Sequence, residues 1–176
     1  GFAKATSNSP LRANKGSNYE GGLRVPLIIK WPGKTKPDSV SDQPVISTDF
    51  YPTILAVTGQ SARPHQHIDG INLVPLLTGK GSLQRDAIYW HYPHYNQHPH
   101  SFPSGVVRAG NWKLIEAFET GKLALYNLAN DLGETTDLTS ENPARVKKLQ
   151  ALLKAWQQEV GADPMRPNPQ FMRDRR

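Results

Sequence analysis

Two stretches of the chain hold residue types that could do chemistry. The first is Lys15-Gly16-Ser17-Asn18-Tyr19-Glu20-Gly21-Gly22-Leu23-Arg24-Val25-Pro26. A lysine in a glycine-bearing loop can reach an anionic group as a compact charge with three donors. Adjacent glycines ahead of an apolar run mean a tight turn or a close backbone approach. On these residues alone a plain structural loop is the stronger reading. Glu20 and Arg24 could touch a ligand, but bracing the loop by hydrogen bonds or a salt bridge is the simpler role. The second stretch holds four of the six histidines, His91, His94, His98 and His100, within ten residues, together with Tyr92 and Tyr95. Such spacing can bind zinc or copper. Pro93 interrupts it after a strand, so the side chains need not converge, and surface or packing roles stay open. His65 and His67 lie in a Pro-His-Gln-His loop without further ligands nearby and read as surface residues.

Charge and composition narrow the partners. Of the net charge of +6, all falls within residues 1–36, where seven basic residues face Glu20 alone; the remainder balances fourteen basic against fourteen acidic residues. A local basic excess favours an anionic partner. The basic residues stand singly among Pro, Gly and apolar residues, with no recognition helix, RNP-like motif or zinc finger, so a small sulfate or phosphate group fits better than nucleic acid. Lys30, Lys34 and Lys36 read as solvated surface. The 176 residues contain no cysteine, which removes a disulfide framework, a thiolate zinc site and a cysteine nucleophile from this chain. No apolar run approaches the roughly 18–20 residues of a membrane span. GFAKATSNSP has no signal-peptide pattern and no initiator Met, as expected of a processed or excised piece.

The elements that must position these residues follow from spacing. Val25–Trp31 is a continuous apolar run closed by Pro32-Gly33 and reads as a buried strand. Ser47 and Thr48 cap a helix to about Thr58, with Pro52 in its first turn and Gly59 as its stop. Leu73–Leu77 is a short apolar patch around Pro75. Ala87–Tyr92, Val106–Phe118 and Leu123–Leu128 read as strands, with Gly110-Asn111 a turn or bulge and Glu119-Thr120-Gly121 a hairpin turn. Asn142-Pro143 starts the clearest helix. Val146, Leu149, Leu153, Trp156 and Val160 form its apolar stripe, and Gly161 ends it.

Taken together, several segments resemble the type I sulfatase (arylsulfatase) family of the alkaline-phosphatase-like superfamily. The first is the Lys15–Pro26 motif with its apolar run and Trp31-Pro32-Gly33. The others are Ser47–Thr53, Asp69–Gly79 (DGINLVPLLTG), Arg108–Ile115 (RAGNWKLI), Leu125–Leu128 and Asp131–Leu138 (DLGETTDL). Their order is the family's and covers about residues 11–160. The resemblance implies a hydrolase of sulfate esters with a formylglycine nucleophile made from Cys or Ser in a C/S-x-P-x-R motif. It also implies a calcium-type ion held by aspartates and an Asp-Asn pair, and export to the periplasm or outside the cell. Lys15 is the residue that matches a family active-site position, and its implied role is to bind a sulfate oxygen and stabilise transition-state charge. For the histidine stretch the resemblance implies a loop reaching over the pocket, with His91 and His94 as contacts to a sugar leaving group.

The sequence also departs from the family pattern. Ser101-Phe102-Pro103-Ser104 is followed by Gly105 where Arg is required, and it lies on the wrong side of Lys15. No Asp-Asp pair occurs, and no Asp-Asn pair precedes Lys15. The chain therefore reads as the C-terminal portion of a sulfatase, with nucleophile and calcium ligands upstream and no turnover expected from the chain alone. The fold expected is α+β. Residues 1–80 would be a remnant of the large α/β domain. Residues 81–161 would be a small antiparallel sheet packed by a C-terminal helix, and residues 162–176 a basic Pro-rich tail. The partners expected are a sulfated small molecule or glycan and the missing N-terminal part, with no nucleic acid and no membrane. Two alternatives stand beside this reading: a non-catalytic binding module reusing the fold, and a phosphoesterase or phosphonate hydrolase of the same superfamily.

Overall fold

The computed structural model describes residues 6–166, so residues 167–176 of the expected tail lie outside the described residues. In chain order the elements are α1 (Glu20–Leu23), a 3-10 turn (Ser47–Asp49), α2 (Phe50–Val57), α3 (Val74–Leu77), β1 (Ile88–Tyr92), β2 (Ser104–Ala109), β3 (Trp112–Ala117), β4 (Leu123–Asn127) and α4 (Pro143–Glu159). They fall into two compact units. One joins the chain through Pro26 to the residues from Asp86 onward; the other is Leu27–Arg85. The expected boundary near residue 80 lies close to Arg85, but the Lys15 motif belongs to the sheet unit.

In the sheet unit, β1 to β4 form an antiparallel meander in sequence order. The expected strand Val106–Phe118 is two strands, because Ala109 pairs with Trp112 and leaves Gly110-Asn111 as a two-residue hairpin turn. Gly110 has φ 57° there, which glycine adopts without a side-chain penalty. Alternation then sorts the side chains onto two faces. Val107, Leu114 and Leu125 pack with Leu149 and Leu153 of α4, and Trp156 joins them at the margin. Val106, Ile115, Tyr126 and Leu128 form the core of the opposite face, where Tyr19, Trp90 and Phe102 pack on them. The sheet is thus covered on one side by the C-terminal helix and on the other by the segment that carries Lys15.

Helix α4 starts at Pro143 as expected, but the side-chain amide of Asn142 turns back to the Leu138 carbonyl (3.3 Å) rather than capping the first turn. Gly161, at φ 60°, closes its far end. Of the stripe, Leu149 and Leu153 are buried, whereas Val160 is exposed.

The unit Leu27–Arg85 is organised differently. Asp49 is wholly buried. Its carboxylate accepts the backbone N–H groups of Ile46 and Ile71 (both 2.9 Å) and pairs with the Arg85 guanidinium, one contact being 3.0 Å. Thr53 links α2 to the Leu73 amide (2.9 Å). Gly70 lies where a Cβ would meet the Thr48 carbonyl at 2.3 Å, so the Asp69-Gly70 glycine is required by close approach. The strand expected over Val25–Trp31 does not form. Among the described residues no strand pairs with it, and Val25 and Ile28 are 79% and 92% exposed. An apolar run becomes a strand only where a neighbour takes its backbone hydrogen bonds.

Candidate functional site

Lys15 stands at the corner of a β-turn. The Ser17 N–H donates to the Asn14 carbonyl (3.2 Å), which places Lys15 and Gly16 at the two central positions. Gly16 has φ 98°, a positive value that the third position of a type II turn demands. Ala13, just before the turn, is also held at positive φ, 60°. The Lys15 side chain is exposed.

The rest of the motif anchors this turn to the sheet. Gly21 donates its N–H to the Arg12 carbonyl (2.8 Å), and a Cβ on it would meet the Ala13 carbonyl at 2.3 Å. A Cβ on Gly22 would meet the Ser17 carbonyl at 2.1 Å. The two glycines are therefore set by the close approach of α1 to the backbone on either side of Lys15. Glu20 is buried, as the bracing role requires. Its carboxylate pairs with Lys113 of β3 (3.0 Å) and approaches Arg108 of β2 (3.5 Å). Lys113 is itself fully buried and also pairs with Glu134 (2.9 Å), and Glu134 accepts the Glu20 backbone N–H (2.6 Å). Arg12 donates to the Glu134 carbonyl (2.6 Å) and the Tyr126 hydroxyl (3.3 Å) and lies 3.9 Å over the Tyr19 ring. Arg24, by contrast, is exposed.

Three motifs far apart in the chain thus meet in one buried ionic bracket. Glu20 comes from the glycine-rich motif, Lys113 from the Trp-Lys-Leu strand and Glu134 from the acidic segment. Burial pushes the Glu134 carboxyl above the usual carboxylate range, with Lys113 only partly offsetting it. Burial, and then the nearby Tyr19, push the Tyr126 phenol up to about 12, so it stays neutral and accepts from Arg12.

The histidine stretch separates onto different surfaces. His91 pairs with Gly105 across β1 and β2, on the α4 side, where a Cβ on Gly105 would touch Leu153 and Gln157. Its Nε2 donates to the Asp163 carbonyl (2.8 Å), its Nδ1 accepts from Gln157 (3.1 Å), and its ring lies against Phe118. His94 is exposed, edge-on to Tyr92. The Lys15 turn is met instead by Asn96, which the sequence did not mark, and by His98, one of the four clustered histidines but not one of the two expected to touch a sugar. Asn96 donates to the Gly16 carbonyl (2.8 Å), and buried His98 bonds the Asn14 side chain. A polar loop without periodicity carries no signal for such contacts. A cleft of about 430 Å³ opens beside the turn, with Asn8, Leu11, Asn14, His98 and His100 in its walls.

Among the described residues no group of three or more His, Asp or Glu side chains could hold a metal ion. His67 accepts the Arg63 N–H (3.2 Å) and lies edge-on to Tyr51, a surface role.

Comparison with known proteins bears on the whole arrangement. The family model described as N-sulphoglucosamine sulphohydrolase, C-terminal, matches residues 13–161. The chain is 39% identical over 171 residues to a sulfatase of Formosa agariphila, covering 89% of this chain and 31% of that protein. It is 37% identical over 108 residues to arylsulfatase A of Homo sapiens, covering 58% of this chain and 19% of the relative. The solved structure of Ps i-CgsB in complex with k-i-k-neocarrahexaose superposes with a TM-score of 0.72 at 30% identity, over 87% of this chain and 33% of that one. Another, solved with its substrate D-glucosamine-2-N,6-O-disulfate, has a TM-score of 0.54 at 27% identity over 68% of this chain and 25% of its own. The chain spans about a third, or less, of the length of these relatives.

Proposed function

Because the chain belongs to the sulfatase family and corresponds to its C-terminal region, we propose that it serves a sulfate-ester hydrolase by presenting Lys15 to the sulfate group. The observation that carries this reading is the exposed ammonium at the corner of a turn whose base is locked into a buried ionic bracket. A lysine held this way can bind a sulfate oxygen and offset the negative charge that grows as the ester bond breaks. In this reading the formylglycine nucleophile and the divalent ion come from sequence preceding this chain, and export of the whole protein follows the family habit.

A sulfated carbohydrate is the substrate class favoured. Two solved relatives are complexes with saccharides, and the cleft beside the Lys15 turn has the amides of Asn8 and Asn14 and the imidazoles of His98 and His100 among its walls, groups that suit a polyhydroxylated leaving group. His94 is exposed in the same loop as His98, which leaves it free to serve as the sugar contact in this reading, whereas His91 has both ring nitrogens engaged on the α4 face.

The test is Lys15→Ala in the full-length protein. Loss of one charge-stabilising group of this kind lowers kcat/KM by about 100- to 1,000-fold, with an unchanged melting temperature because the side chain is exposed. A folded variant with near-normal kcat/KM overturns the role.

A further inference from the structure

We propose that Asn96 and His98 are positioning residues for Lys15, gripping the backbone on both sides of its turn. The inference rests on the reading of Lys15 as the sulfate-binding residue. It adds how a residue on an exposed corner keeps one position.

The grip has two halves. On the far side of Lys15, the Asn96 amide donates to the Gly16 carbonyl (2.8 Å) and also to the Tyr92 hydroxyl (3.2 Å), which fixes the amide plane. On the near side, His98 Nε2–H donates to the Asn14 side-chain oxygen. His98 Nδ1 accepts the His100 N–H (3.0 Å), so a single neutral tautomer satisfies both ring nitrogens. The halves are joined, because the Asn96 side-chain oxygen accepts the His98 backbone N–H (2.7 Å). Every side-chain donor and acceptor of the pair is thereby committed to one arrangement.

Packing reinforces the hydrogen bonds. His98 is 6% exposed, and a Cβ on Gly16 would meet its Cβ at 3.2 Å. Positive φ values stand at Ala13, just before the turn, and at Gly16 within it. A non-glycine residue in that region persists only where its surroundings over-determine it. Asn96 and His98 supply part of that determination. Without them the turn relaxes, and the ammonium leaves the place where sulfate charge develops. A displacement of about 1 Å at a catalytic group can cost on the order of 100-fold.

The experiment measures Asn96→Ala, Asn96→Asp and His98→Ala in the full-length protein, beside Lys15→Ala and the double variant Lys15→Ala/Asn96→Ala. Asn96→Asp keeps the acceptor for His98 and replaces the donors with a charged oxygen that repels the Gly16 carbonyl, so it reports on the grip even if Asn96→Ala fails to fold. Expected are falls of about 10- to 100-fold in kcat and kcat/KM together. The falls are the same for a small aryl sulfate and for a sulfated oligosaccharide, and the melting temperature of Asn96→Asp holds, since Asn96 is exposed. The double variant is no worse than Lys15→Ala alone, because the grip acts through Lys15. If Lys15→Ala is crippled while folded Asn96→Asp and His98→Ala are near normal, the positioning role is overturned and the role of Lys15 stands. A loss confined to the oligosaccharide overturns it too, in favour of direct sugar contact from the cleft. A near-normal Lys15→Ala overturns the underlying reading itself.

Discussion

The two units bury their residues in opposite ways. The sheet unit is covered on both faces, by α4 on one and by Tyr19, Glu20 and the glycine pair on the other. Three of its charged groups, Glu20, Lys113 and Glu134, are inside and paired. In Leu27–Arg85, the described apolar residue that reaches full burial is Leu73, and a charged pair, Asp49 with Arg85, takes the central place. Ile28, Val40, Ile54 and Ile68 are more than half exposed there. Apolar surface on that scale belongs against something. The difference teaches that the Lys15 turn is fixed by contacts within its own unit, while the second unit leaves several large apolar side chains exposed.

The contrast can be broken most sharply at Lys113. Lys113→Met leaves the buried Glu20 and Glu134 carboxylates without their shared cation, and removing one partner of a buried pair costs about 3–5 kcal/mol. Urea denaturation followed by tryptophan fluorescence should show a loss of that size. A loss under about 1 kcal/mol would mean that the bracket does not hold the motif to the sheet, given how costly unpaired buried charge is.

Ile28→Lys probes the other unit and should act weakly. An exposed side chain changes stability by no more than about 0.5 kcal/mol in this chain. The same change should reduce self-association of the isolated chain in sedimentation, since it interrupts the apolar run. A large loss of stability would show that Ile28 is already covered.

The smallest effect is in acid. Burial raises Asp131 and Asp137, but hydrogen bonds from Thr135 and Thr136, and from Leu125 and Thr139, outweigh it and hold both carboxyls below the usual range. Their stabilisation is complete above the ordinary carboxylate value and disappears as pH falls through the depressed folded value. Glu134 has the opposite sign. Its raised value favours the folded state only below the ordinary range, and that contribution is lost as pH rises through the raised value. Asp137→Asn should therefore flatten the loss of urea stability between about pH 7 and about pH 3. An unchanged acid limb would remove Asp137 from the account.

Much of the sheet unit was legible in residue patterns. Pro143 and the Leu149–Leu153 spacing define α4, Gly110-Asn111 reads as a turn or bulge that the structure makes a hairpin, and Glu20 reads as a brace before its partners are known. The less legible part has identifiable causes. Val25–Trp31 has a strand's composition, but composition does not supply a neighbouring strand. His91 and Tyr92 are adjacent in sequence, yet alternation sends His91 to the α4 face and Tyr92 to the side where Asn96 holds the Lys15 turn.

By itself, the sequence determined the family, the strands and helix of the sheet unit, and Lys15 as its candidate for sulfate chemistry. These depend on local propensity, periodicity and ordered motifs, all of which are written along the chain. Only the tertiary structure decided that Glu20, Lys113 and Glu134 form one bracket and that Asn96 and His98 hold the Lys15 turn. Those contacts join residues some eighty to more than a hundred positions apart. Their energy comes from shared burial and directional hydrogen bonds, which exist only once the sheet has brought both sides together.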